Sequence, residues 1–189
     1  MKKGIRLIHI WEWELRNESI WSKLSKWLLN EFNVNKYSID LQNCRVVQVS
    51  KELEQYFYNL YSIKEYQESD ICLGLVHNNQ LYQIVSFKII NNQWYLINYG
   101  TAYNYSIENG YNAILNLFIN FYKVKSIYTL CNLCKEDINL YYQLRFQLQE
   151  ITNPDIIWCN KDMNISINEQ KDYIPLYDCG LASFIYVIS

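Results

Sequence analysis

The sequence predicts an α/β chain with a mixed α+β sheet, and two features carry that prediction. Three strand-like apolar runs, ICLGLVH (71–77), LYQIVSFKII (81–90) and WYLINY (94–99), are separated only by Asn78-Asn79 and Asn91-Asn92. Asparagine tolerates the positive φ that tight hairpins demand, so these runs form a meander. An amphipathic helix over about 107–122 then leads to a further strand over 126–131.

The remaining elements follow in order. IRLIHIWEWEL (5–15) alternates as a strand, with Ile5, Leu7, His9 and Trp11 on one side and Arg6, Ile8 and Ile10 on the other. Asn17 caps a helix reaching about Phe32, whose stripe is Ile20, Leu24, Trp27 and Leu28. The polar stretch 33–43 reads as a linker, dividing a strand and helix (1–33) from the main domain (44–189). That domain opens with a strand over 44–49 and a helix capped by Ser50, with Glu52 in its first turn and Leu53, Phe57 and Leu60 inward. The later helix turns Ile114, Leu115, Phe118 and Phe121 inward, and a short helix over 137–144 precedes strands near 156–159 and 173–186. The order is β-α-β-β-β-α-β-α-β after an N-terminal strand and helix.

Composition narrows the function classes. The 189 residues include 50% apolar types and 18 Tyr but only 5 Gly and 2 Pro, which predicts a closely joined fold with short loops. A formal charge of −2 supplies no basic field for phosphates, so any nucleic-acid contact is local. No run of about 18 apolar residues suits a membrane span, and charges interrupt the apolar start, so the expectation is a cytoplasmic protein.

The six cysteines read as thiols rather than disulfides, since most lie in apolar strand-like runs. Cys131 and Cys134 have the spacing of half a zinc site. No second pair is present, and Cys159 or Cys179 completes the set only if the fold brings it close. The expectation is therefore no metal and no cofactor, with His9 a packed strand histidine and His77 a surface residue.

The element order is that of acetyltransferase-like folds, in which a meander leads into a helix whose N-terminus holds the pyrophosphate of acetyl-CoA. Here the turn reads SIENGYNA, with the single Gly110, bulky Tyr111 and acidic Glu108. On these residues acetyl transfer ranks last among the functions considered.

Several segments resemble a family, the homing-endonuclease-like proteins of phages whose nuclease core is of the very-short-patch-repair type. KGIRLIHIWEWEL is similar to the last strand of that core, and NCRVVQVSKELEQYFYNLY to the start of the accessory domain. LGLVHNNQLYQIVSF, IYTLCNLCKEDINLYYQLRF and the closing LYDCG resemble later stretches of it. The resemblance implies a nuclease remnant without its upstream catalytic residues, because Glu12 and Glu14 alone cannot bind the cation and activate water. It also implies lost basic charge. Asn132, Leu133, Cys134 and Lys135 stand where the family has Asp-Arg-Arg-Trp, and Arg145 replaces a glycine.

The reading that follows is a non-catalytic binding protein of phage or mobile-element origin, an anti-CRISPR-like inhibitor of a host protein or ribonucleoprotein effector. Tyr103, Tyr105, Tyr111, Asn132, Leu133, Lys135 and Arg145 form its expected contact surface. The alternative is residual DNA binding through Lys23, Lys26, Lys123, Lys125, Lys135 and Arg145. A homodimer through the N-terminal strand is also expected, since an unpaired edge invites association.

Overall fold

The computed structural model describes residues 8–32, 37–162, 164–168 and 171–188. The chain divides into two compact units, Ser22–Thr129 with Tyr186–Ser189, and Met1–Trp21 with Leu130–Ile185. In chain order the first elements are α1 (Glu12–Arg16), α2 (Glu18–Glu31), β1 (Tyr37–Ser38), β2 (Arg45–Gln48) and α3 (Lys51–Tyr61). The meander is β3 (Ile71–His77), β4 (Gln80–Ile90) and β5 (Gln93–Thr101), followed by β6 (Tyr105–Ser106), α4 (Gly110–Tyr122) and β7 (Ser126–Asn132). The chain closes with α5 (Ile138–Gln143), β8 (Gln147–Ile151), β9 (Ile156–Cys159), β10 (Ile165–Ser166), β11 (Ile174–Tyr177) and β12 (Leu181–Val187).

In the larger unit the strand order is β2-β3-β4-β5-β7, with the first four antiparallel and β5-β7 parallel. This is the mixed, largely antiparallel sheet that the sequence predicts. Both hairpins turn on asparagine pairs in the left-handed region, with φ of 48° and 62° at Asn78-Asn79 and 52° and 60° at Asn91-Asn92. A parallel neighbour needs a crossover, and α4 supplies it. Ile114, Leu115 and Phe118 of α4 are buried, and Phe118 stacks on Phe87 of β4 at 3.6 Å between ring centres.

The helices depart from the sequence reading in several places, and Ile20, read into the apolar stripe of α2, is exposed. Phe121 is 73% exposed, because Tyr122, one turn beyond Phe118, takes the inward place against Trp94. The helix itself begins at Gly110 rather than near Ile107, since Asn109 adopts φ 58° and ψ 11°, which a helix cannot continue through. On α3 the buried residues are Glu54, Phe57 and Tyr58, while Leu53 and Leu60 face out. Ser50 does cap this helix, its hydroxyl accepting from the Leu53 N–H.

The smaller unit contains α1, α5, the end of β7 and most of the late strands. Residues 12–15, expected in a strand, lie in α1, where the Glu14 carboxylate accepts from the Trp11 N–H at 2.8 Å and so caps the first turn. Ile5, Arg6 and Leu7 fall outside the described residues. The late stretch 173–186, read as strand, holds two strands, β11 and β12. Gly180 separates them at φ 77°, and a Cβ there would meet the Thr152 carbonyl oxygen at 2.6 Å. β12 pairs antiparallel with β8, and β9 lies between β10 and β11.

The end of α5 turns on Arg145, at φ 66°. The Phe146 N–H reaches back to the Tyr141 carbonyl at 2.9 Å and the Arg145 N–H to Tyr142 at 3.0 Å, the bonding of a helix stop that ordinarily uses glycine. A side chain at this φ costs about 1 kcal/mol. Arg145→Gly is therefore expected to raise stability by about 1 kcal/mol in urea unfolding. A loss of stability instead would mean that the exposed guanidinium makes contacts worth more than the strain.

Candidate active site

Within the larger unit, β5 pairs with β7 in register only at Trp94 with Ile127 and Tyr95 with Tyr128. The Thr129 hydroxyl then donates to the Leu96 carbonyl at 2.8 Å. From Ile97 to Thr101, β5 keeps β4 on one edge and has no strand partner on the other among the described residues. The parting coincides with a bulge at Ile97, where the register passes from Phe87–Leu96 to Ser86–Asn98. The extra residue puts Leu96 on the α4 side, opposite Phe87, and Asn98 on the α3 side, opposite Ser86.

The N-terminus of α4 belongs to the same unit. Asn109, its cap, makes no side-chain bond to the first turn, and Glu108 and Asn109 are exposed. Gly110 is buried, and a Cβ on it would sit 2.0 Å from Gln83 Oε1 and 2.8 Å from Leu75 Cδ1. Its glycine thus serves close packing of helix on sheet. Beneath it the Gln83 amide donates to Thr101 Oγ1 at 3.0 Å, and Thr101 is 2.7 Å from the Tyr111 hydroxyl. Gln83 Oε1 is buried without a hydrogen-bond partner. Burial pushes the Tyr111 phenol well above its ordinary range.

On the α3 face of the sheet lies a second polar group, centred on Glu54, which is 1% exposed. Ser86 donates to its Oε1 at 2.5 Å, Ser69 to its Oε2 at 2.8 Å, and the Tyr66 hydroxyl reaches Oε2 at 3.5 Å. Because the Ser86 proton is spent on Glu54, Tyr58 is the donor in its 3.1 Å contact with Ser86. A buried carboxylate is tolerated only where donors replace water, and three hydroxyls do so here. Burial, reinforced by Glu54, pushes the Tyr66 phenol up to about 12. Burial also pushes the nearby Cys72 thiol up to about 12.

The residues expected to form a partner surface are placed as follows. Tyr103 meets Tyr61 edge-on, with its hydroxyl buried and without a partner, and burial pushes its phenol up to about 12. Tyr105 packs between Tyr37 and Tyr82, and Tyr111 lies against Tyr99. All three belong to the larger unit. In the smaller unit, Asn132 and Leu133 bond at the end of β7, the former to the Glu136 carboxylate at 2.6 Å and the latter to the Gly180 carbonyl at 3.2 Å. Lys135 pairs with Glu14 at 2.7 Å, both largely covered, and Arg145 is exposed at the end of α5. Tyr141, between them, donates to Glu136 at 2.7 Å and stacks on Phe184.

Solved structures of N-acetyltransferases share this chain's fold. No family model matches it. No curated protein matches it either. The ribosomal-protein alanine N-acetyltransferase of Escherichia coli is similar at a TM-score of 0.55 and 11% identity, over 77% of this chain and 94% of that one. An acetyltransferase of Bacillus subtilis in complex with CoA gives 0.51 and 11%, over 78% and 99%. The IAA acetyltransferase of Bacillus cereus gives 0.54 and 8%, over 77% and 99%.

These matches correct the family reading. Nothing in them points to a homing-endonuclease or very-short-patch-type domain, so the nuclease ancestry is withdrawn. The phage-derived, anti-CRISPR-like inhibitor and the DNA-binding alternative are withdrawn with it, and so is the expectation that the chain is not an enzyme. The physical reason is that the strings behind the resemblance are local punctuation. INLYYQLRF is a helix stopped by a left-handed residue, LYDCG is a strand closed by Gly180, and part of the supposed nuclease strand is helical.

Glu54 was missed because it follows Glu52 and Leu53 in what reads as a solvated first turn. The available signal was its spacing from Phe57, Tyr58 and Tyr61, one helix face.

The raised thiol and phenol make stability depend on alkaline pH. Cys72 and Tyr66 are neutral in the fold up to about 12, whereas the free groups ionise near 9.0 and 10.0. A folded value above the unfolded one gives stability that is present below the unfolded value and lost as pH rises through the folded one. The urea midpoint is expected to be flat around pH 7–8 and to fall above about pH 9, less steeply in Cys72→Ala. A midpoint that stays flat to about pH 11 would contradict the buried placement of both groups.

Proposed function

We propose that this protein is an acyl-CoA-dependent N-acyltransferase, with the acyl donor lying along the open edge of β5. The observation that carries the reading is the parting of β5 from β7 after Tyr95 and Tyr128, within a fold whose solved examples are acetyltransferases. An unpaired strand edge takes an extended, amide-bearing chain as an added strand, and the pantetheine arm is such a chain. At the end of that edge the first N–H groups of α4 have no side-chain cap, which suits a phosphate. The thioester supplies the activated acyl group, whose carbon–sulfur bond breaks as the carbon–nitrogen bond forms, so that CoA leaves as the thiol. The chain's own residues do the rest: the backbone from Ile97 to Thr101 orients the donor, the Ile97 bulge turns Asn98 towards the α3 face, and the Glu54 group takes up the amine's proton through Tyr66. Cytoplasm is the compartment that suits it, since its six cysteines are thiols.

The departure noted in the sequence bears on affinity rather than on the reaction. Glu108 brings a negative charge to the turn before α4, but its side chain is exposed and free to swing into water. Glu108→Ala is expected to tighten acetyl-CoA binding by about two- to fivefold in calorimetry. No measurable heat with acetyl-CoA in either protein would sink the acyltransferase reading. Against a panel of amines, Glu54→Gln is expected to lower kcat by at least about 100-fold with little change in the KM for acetyl-CoA. Full activity of that variant would remove Glu54 from the chemistry.

A further inference from the structure

Three side chains far apart in the sequence converge in the smaller unit: His9 before α1, Cys134 after β7 and Cys179 before β12. Their donor atoms all lie within 4.8 Å of one another, with Cys134 buried and the other two half-buried. We propose that His9, Cys134 and Cys179 bind a zinc ion that clasps the segment before α1 to the turns after β7 and before β12. The proposal is independent of the acyltransferase reading, whose residues lie in the other unit.

Geometry supports the assignment. Zinc bonds of about 2.3 Å to sulfur and about 2.0–2.1 Å to nitrogen, at tetrahedral angles, separate N and S ligands by roughly 3.6 Å and two S ligands by roughly 3.8 Å. His9 Nδ1 stands 3.4 Å from Cys179 Sγ, and the 4.8 Å span of the group leaves only a small closure to make. Two thiolates and one imidazole are the donor set that selects zinc over hard, oxygen-seeking cations. With two neutralising thiolates the site carries no net charge.

The surroundings are those of a prepared site. The Cys179 N–H points at Cys134 Sγ from 3.1 Å, the backbone donation that steadies a metal-bound thiolate. The His9 N–H donates to the Cys134 carbonyl at 2.9 Å, so ligand and ligand are joined through the main chain as well. Lys135 holds the His9 carbonyl at 2.5 Å, and its charge is met by Glu14 at 2.7 Å rather than turned on the site. Half-burial of His9 and Cys179 leaves the fourth position to water. Cys131, the other half of the CxxC spacing, is not among the converging donors.

Reconstitution of the purified, reduced full chain with Zn²⁺ and with Co²⁺ tests the site. One metal per chain is expected, and the cobalt form is expected to show thiolate charge-transfer absorption and the strong visible bands of a tetrahedral centre. Cys134→Ser, Cys179→Ser and His9→Ala should each weaken zinc binding by at least about 100-fold in chelator competition, while Cys131→Ser and Cys44→Ser bind as the wild type does. Circular dichroism of each variant separates lost ligation from lost fold, and the wild-type cobalt spectrum stands without any variant. A weak octahedral cobalt spectrum, unchanged affinity in Cys179→Ser, or a Cys134–Cys179 disulfide that persists under mild reduction and excludes metal would overturn the assignment.

Discussion

β5 shares its whole length with β4 but touches β7 in register only at Trp94 and Tyr95, and much of the larger unit follows from that inequality. Parallel neighbours joined by a crossover helix ordinarily continue their ladder, because every unpaired N–H and C=O left in a sheet interior costs free energy. Here the ladder stops at the Ile97 bulge. The backbone beyond it is committed on one side and open on the other, so the sheet contains a slot that an amide-bearing ligand can complete. α4 is held beside that slot by the Phe87–Phe118 stack and by Gly110, whose missing Cβ lets helix and sheet close on Gln83 and Leu75.

The two polar groups of this unit differ in how fully they are satisfied. Around Glu54 three hydroxyls replace water, and the carboxylate is kept at the centre of an apolar face at a cost they largely offset. Around Gln83 the accounting is incomplete, since Oε1 has no partner. Buried polar atoms left in that state mark places where a protein tolerates cost for a reason other than stability. Both groups flank the same strand. One lies on the α3 face opposite Asn98 and the other on the α4 face beside Thr101.

The smaller unit is organised differently. Its helices are short, and its tightest junctions are made by turns rather than by a broad apolar layer: Arg145 and Gly180 in the left-handed region, the Lys135–Glu14 pair, and the convergence of His9, Cys134 and Cys179. A region with so many short strands gains from cross-links that act on the chain directly, and thiol and imidazole ligands are of that kind. The six cysteines are otherwise hard to assign, and burial among apolar strands accounts for Cys72, Cys131 and Cys159.

By itself the sequence determined the order of the main elements from β2 to α5, the two asparagine hairpins and the Ser50 cap, because each depends on residues close together in the chain. Short-range signals also explain where it misled: a helix stop and a strand end resembled the motifs of an unrelated family, since many folds use the same turns. Only the tertiary structure decided that Glu54 faces inward, that the sheet parts after Tyr95, and that Cys134 joins His9 and Cys179 rather than Cys131. Each of those depends on which groups meet across long stretches of chain, where burial and hydrogen bonding outweigh local preference. The slot beside β5 is the fullest case, for no residue of it is unusual in the sequence, and it exists only because two strands that begin as neighbours do not remain so.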